Sequence, residues 1–145
     1  MVIDALISVA ALLFLAPTGI VLASSSIGRP TIYGASLALS LALVVAGVVS
    51  LSGHHNSAAV LPFGLPWLGA HFRIDALSAF FLIVVNLGGA AVSLFALGYG
   101  RHEEFPGRVL PFYPAYLAGM NLVLLADDAF SFLVARESMS LSAWA

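Results

Sequence analysis

The chain has no cysteine, no lysine and few charges of either sign. Without cysteine it can form no disulfide, thiolate metal site or cysteine nucleophile. Charged residues make up only 8% of its 145 positions and hydrophobic ones 61%, whereas soluble domains carry roughly 25% charge. So few polar side chains cannot coat a water-soluble fold, and the mean hydropathy of +1.07 agrees. The composition is that of an integral membrane protein embedded in a lipid bilayer. A formal net charge of −2, with no basic patch interleaved with aromatics, gives a nucleic acid nothing to bind. No glycine-rich phosphate loop, nucleophile motif or ligand cluster is present, so no cofactor is expected and a soluble-enzyme reading has no support. His54 and His55 are adjacent but have no carboxylate or cysteine at ligand spacing. They read as loop residues, and no metal site is assigned.

Long uncharged runs separate Asp4 from Arg29, Asp75 from Arg101, and Arg108 from Asp127. A spanning helix needs about 20 apolar residues, within roughly 17 to 25. The spacing therefore predicts one all-α membrane domain over 1–145, with helices at 4–23, 33–51, 75–97 and 110–126. A fifth starts at 129 and is still running at 145, so it is expected to be cut short. Continuous rather than alternating runs disfavour a barrel. The leader Met-Val-Ile-Asp has no basic residue and the run after it is too long for a signal peptide, so the first helix is read as retained. Of the five arginines, Arg29 lies in the first loop and Arg101 and Arg108 in the third, against Arg73 alone in the second. The positive-inside rule then places the N-terminus outside.

The helices differ in what they carry. In the second, Gly34, Ala38, Ala42, Ala46 and Ser50 recur every four residues and predict a helix-packing ridge of small side chains. In the third, Asn86 sits near the midpoint, with Ala90 and Ser93 on nearly the same face. An amide in hydrocarbon needs a hydrogen-bond partner, so this face is expected to point into protein. Pro111 and Pro114 open the fourth helix, where a missing amide hydrogen does least harm, and Tyr113 and Tyr116 read as interfacial anchors. The stretch LPFGLPWLG in the second loop reads as a re-entrant or interfacial turn.

The fifth run, FSFLVARESMSLSAWA, sets Arg136 and Glu137 side by side in its middle. With Asp127 or Asp128 as helix cap, Glu137 lies ~13 Å down at 1.5 Å per residue, near the middle of a ~30 Å core. A carboxylate there must be neutralised, paired or hydrated, and is a functional candidate on that ground. Neighbours one apart on a helix diverge by about 100°, so Arg136 is a poor partner for it. Ser140 is placed one turn on, where it can bridge the two.

Four elements of the chain carry a resemblance: Asp75-Ala76-Leu77-Ser78, the RVLPFYP run at 108–114, Ala126-Asp127-Asp128, and Glu137-Ser138-Met139-Ser140-Leu141. Over about 60–145 the sequence resembles the N-terminal part of hydrogenase 4 component B and formate hydrogenlyase membrane subunits. Those are similar to the antiporter-like proton-translocating subunits of NADH:quinone oxidoreductase and of multisubunit sodium/proton antiporters. The resemblance implies a non-catalytic, cofactor-free subunit of a bacterial inner-membrane complex, whose partners are the other membrane subunits of a hydrogenase or respiratory complex. It also implies a proton relay at Glu137 facing a lysine on a later helix. Arg136 stands where the family usually has an aromatic residue, and with Ser140 and Asn86 it is a candidate modulator. The family is far longer, so the chain is expected to be an N-terminal fragment, inactive alone. Two other readings stay open: a small membrane scaffold or assembly protein, and a sodium/proton antiporter subunit.

Overall fold

A computed structural model describes residues 1–23, 25, 27–53, 57–62, 69–99 and 109–144. Five helices form close to the expected places: α1 (Val2–Leu22), α2 (Gly28–Gly53), α3 (Ala76–Tyr99), α4 (Phe112–Leu125) and α5 (Ala129–Trp144). Three of them, α1, α2 and α3, are long and apolar enough to cross a membrane, at 21, 26 and 24 residues. The protein is a membrane protein on this ground. Helix α4 is apolar but has 14 residues, about 21 Å at 1.5 Å per residue. It is shorter than expected because Pro111 is its N-cap rather than part of the helix.

One departure from an all-helical chain lies between α2 and α3. Two strands, β1 (Ser57–Leu61) and β2 (Ala70–Ile74), pair antiparallel, with Ala59 opposite Phe72 and Leu61 opposite Ala70. The LPFGLPWLG stretch, expected as a re-entrant or interfacial turn, joins the two strands. The run Ala70-His71-Phe72-Arg73-Ile74 alternates, so Ala70, Phe72 and Ile74 are buried against the helix ends while Arg73 faces out. Gly69, with φ at 67°, turns the chain into β2 in a conformation that side chains avoid. Residues 63–68 of the connecting stretch, together with His54, His55, Arg101 and Arg108, lie outside the described residues.

The main apolar core joins Val2, Ala5, Val9 and Leu12 of α1 to Leu43, Ala79, Leu117, Leu125 and the inner face of the hairpin. The hairpin thus covers one end of the bundle, where α1, α3 and α5 begin and α2 and α4 end. At the other end Ile32, Tyr33 and Leu110 form a smaller cluster.

The small-residue ridge is not the face by which α2 packs in this chain. Ala38 and Ala42 are exposed, and a β-carbon at Gly34 would meet nothing within 4 Å. The buried stripe is Ser36, Ser40, Leu43, Gly47 and Ser50, turned about a third of a revolution away, and of the ridge only Ser50 falls on it. Gly47 sits so close to α3 that a β-carbon there would lie 2.7 Å from Ile83 and 3.1 Å from the Ala79 carbonyl.

Candidate functional site

The position of α5 is set from the hairpin. The Asp127 amide donates to the His71 carbonyl at 2.9 Å, and Phe72 bridges Ala126, so the chain after α4 joins β2 as a third, very short strand. Arg73 reaches Asp127 at 3.0 Å and Asp75 at 3.9 Å. Asp128 is the cap: one carboxylate oxygen accepts from the Ser131 amide at 2.8 Å and the other from the His71 amide at 2.9 Å. Ser131, whose amide donates to it, holds Asp128 down to about 2, from an ordinary 3.8. Asp75 caps α3 in the same way, accepting from Ser78 at 2.7 Å, and that amide lowers its pKa.

From this anchor α5 lies against α4 along Ser131 and Ala135. Its closest approach is at Gly119, where a β-carbon would come within 2.9 Å of the Met139 main chain and Cβ. Only glycine fits there.

That docking decides where the two charges go. Arg136 and Glu137 fall on the open side of α5, 60% and 67% exposed. Against expectation they do approach, Nη1 to Oε1, but at 3.9 Å the contact is longer than a hydrogen bond. Ser140 is exposed too, and among the described residues no hydrogen bond ties it to either charge. The chain has no lysine, and no other described charge lies in a helix interior, since Asp4 and Arg29 sit in first turns and the rest at the hairpin. Among the described residues Glu137 therefore meets no cation except Arg136.

A second polar group lies inside the bundle. Asn86 of α3 and Asn121 of α4 are fully buried and face each other. The Asn86 amide donates to Asn121 Oδ1 at 2.6 Å and to the Leu82 carbonyl at 2.8 Å. Asn121 donates back to Asn86 Oδ1 at 3.3 Å and to the Leu117 carbonyl at 2.8 Å. All four amide hydrogens are thereby used. Nearer the other end of the bundle, the Tyr113 hydroxyl donates to the Gly89 carbonyl at 2.8 Å and lies 2.6 Å from Ser93 Oγ. Tyr113 is thus an internal clasp as well as a neighbour of Tyr33, 5.7 Å away ring to ring. The Asn86, Ala90 and Ser93 face points into protein, as its chemistry demands.

Sequence reasoning passed over Asn121, Tyr113 as a clasp, and Ser36 with Ser40. The signal for the first was present, because Asn121 interrupts an apolar helix just as Asn86 does.

No protein-family profile matches the chain. It is 34% identical over 120 residues to "Hydrogenase-4 component B" of Escherichia coli (strain K12), covering 72% of this chain and 18% of that protein. It is also 36% identical over 102 residues to an uncharacterized protein of Mycobacterium tuberculosis (strain H37Rv), covering 68% of this chain and 16% of that protein. The chain spans less than a fifth of the length of these relatives.

Proposed function

We propose that the chain acts as the N-terminal part of a proton-translocating, antiporter-like membrane subunit, within a hydrogenase 4, formate hydrogenlyase or related quinone-linked complex. In this reading it is non-catalytic and holds no cofactor, and electron transfer in other subunits drives proton movement past Glu137. The observation that carries the reading is a carboxylate midway along α5 and on its open side, with only a long contact to Arg136 among the described residues. Such a group has to be completed by protein or water from outside this chain. A cation on a neighbouring membrane segment supplies the pairing, and a gated pairing lets the carboxylate take up and release a proton. Arg136 biases that exchange by favouring the ionised form. The similarity to hydrogenase-4 component B supports the same class of complex. On this reading α4 and α5 also cross the bilayer, giving five spans with the N-terminus outside.

The test has two parts. The chain alone in liposomes is expected to give no proton leak that Glu137→Gln removes. In inverted vesicles from cells producing the whole complex, acidification driven by the electron donor is expected to fall about tenfold or more in Glu137→Gln, a loss within the range for removing a positioned acid-base group. Unchanged acidification refutes the relay. Dependence on sodium rather than potassium would instead identify a sodium/proton antiporter subunit.

One observation favours a second reading. The ridge of Gly34, Ala38, Ala42 and Ala46, exposed at Ala38 and Ala42, leaves α2 open to a neighbouring helix. A scaffold or assembly role predicts that Ala42→Leu disrupts the complex while Glu137→Ala leaves it assembled.

A further inference from the structure

The seam between α2, α3 and α4 contains two hydroxyls that no described group serves. Ser36 Oγ and Ser40 Oγ are buried without a hydrogen-bond partner, in residues of 0% exposure. A buried hydroxyl left unmade is costly, and more so where hydrocarbon rather than water surrounds the bundle. At zero exposure neither can reach a partner molecule outside the chain, so whatever serves them is small and internal.

Their surroundings are polar in an ordered way. Ser40 Oγ faces α3 and lies 3.2 Å from where a β-carbon at Gly89 would stand. Helices α2 and α3 run antiparallel, so Ser36, one turn back, comes level with Ser93, which is bonded to Tyr113. One turn the other way brings the level of Asn86 and Asn121. Each of these amide oxygens accepts one hydrogen bond from its partner and keeps a second lone pair. Beyond the amides the packing turns apolar, with Leu82, Leu125 and Ile74 closing the hairpin end. The seam is therefore polar from Tyr113 to the asparagine pair and apolar beyond both ends, where Ile32 and Leu110 pack on one side and Leu82, Leu125 and Ile74 on the other.

We infer that Ser36 and Ser40 bind ordered water in this seam, and that the water reaches the Asn86–Asn121 pair. The donors and acceptors meet what a buried water needs, two to four polar partners. The end of the path has a meaning for α5. Gly119 lies against Met139 in the antiparallel α4 and α5, so two residues on in α4 and two back in α5 set Asn121 level with Glu137. The seam carries water to the depth of the carboxylate, on the other side of α4. Its use as a proton supply rests on the Glu137 reading; the water itself does not.

The absence of cysteine makes the test direct. Single-cysteine variants Ser36→Cys and Ser40→Cys, nearly isosteric, are compared in vesicles with Ala38→Cys and Ala42→Cys on the exposed side of the same helix. The probe is silver ion, small and confined to water, with unreacted thiol counted afterwards by maleimide in denaturant. A thiol in an apolar setting stays protonated and slow, so the two seam variants are expected to react about tenfold faster or more than the two controls. Equal rates overturn the inference. A fast Ser36→Cys with a slow Ser40→Cys overturns the reach to the asparagine pair. Infrared spectra of the cysteine-free chain in 18O water give an independent reading: an isotope-sensitive band of bound water lost in Ser36→Ala/Ser40→Ala supports the proposal, and no such band refutes it. Adding Glu137→Gln to Ser40→Cys is expected to leave its silver rate unchanged, so failure of the relay reading and failure of the water path are told apart.

Discussion

Two polar groups interrupt the apolar helices at about the same depth, and the chain treats them in opposite ways. Asn86 and Asn121 are neutral, fully buried and closed on each other. Arg136 and Glu137 are charged and turned out of the bundle. An amide pair on two helices places all four of its hydrogens, two across the pair and two on main-chain carbonyls. A charge needs a counter-charge or water at close range, and the described residues offer the glutamate no counter-charge beyond its neighbour. Neutral polarity is used here to fix this chain, and the charges are turned away from it.

The largest effect on that contrast should come from the residue that orients α5. Gly119→Leu drives a side chain into the Met139 main chain. It is expected to cost about 3 kcal/mol, the upper end for overpacking without room to adjust. Unfolding in mixed micelles with rising dodecyl sulfate measures it. Because the clash is with backbone, a compensating Met139→Ala should restore little.

The asparagine pair comes next. Asn121→Leu leaves Asn86 with an unmet amide hydrogen and is expected to cost about 1–2 kcal/mol, the range for interhelical hydrogen bonds in membranes. The double variant Asn86→Leu/Asn121→Leu removes donor and acceptor together and should be less destabilising than the sum of the singles, by about 0.5 kcal/mol or more. Strict additivity in the same denaturation series would mean that the two amides do not act as a pair.

Some of this arrangement could be read from the sequence. The helices announce themselves by uncharged length, and Asn86 announces its need for a partner by standing in one. The depth of Glu137 follows from its distance to the Asp127-Asp128 cap, which the structure assigns to Asp128. What could not be read is which face turns inward. On α2 the ridge Gly34, Ala38, Ala42, Ala46 and the stripe Ser36, Ser40, Gly47, Ser50 are both made of small residues at helical spacing, and only the position of α3 chooses between them. The exposure of Arg136 and Glu137 likewise depends on Gly119, eighteen residues upstream of Glu137. The hairpin was hidden by the same habit: its alternation over Ala70 to Ile74 is legible, but a membrane composition draws the eye to continuous runs.

Smaller effects belong to the clamp. Asp128 holds two amides on separate oxygens, so Asp128→Ala should cost about 1 kcal/mol as a lost cap. Asp128→Asn should cost less, because it can still cap Ser131 but has one oxygen for two donors. The pH dependence has a definite sign. Folding lowers this carboxyl from 3.8 to about 2, so its contribution is present above about pH 3.8 and is lost as pH falls through that window toward 2. Thermal denaturation across pH 2 to 5 should show this loss in the native chain and a smaller one in Asp128→Asn, where Asp75 still titrates.

The smallest effect is expected where the charge is greatest. Glu137→Gln and Arg136→Gln remove groups that touch nothing else described within the chain and meet each other only at 3.9 Å. Each should therefore change the folding stability of the isolated chain by less than about 0.5 kcal/mol, as exposed pairs do. A loss comparable to that of Asn121→Leu would mean that the pair is a structural element of this chain, and the contrast between the two polar groups would collapse. If stability is unchanged while vesicle acidification by the whole complex fails in Glu137→Gln, the carboxylate is kept for its chemistry, because the fold gains nothing from holding it there.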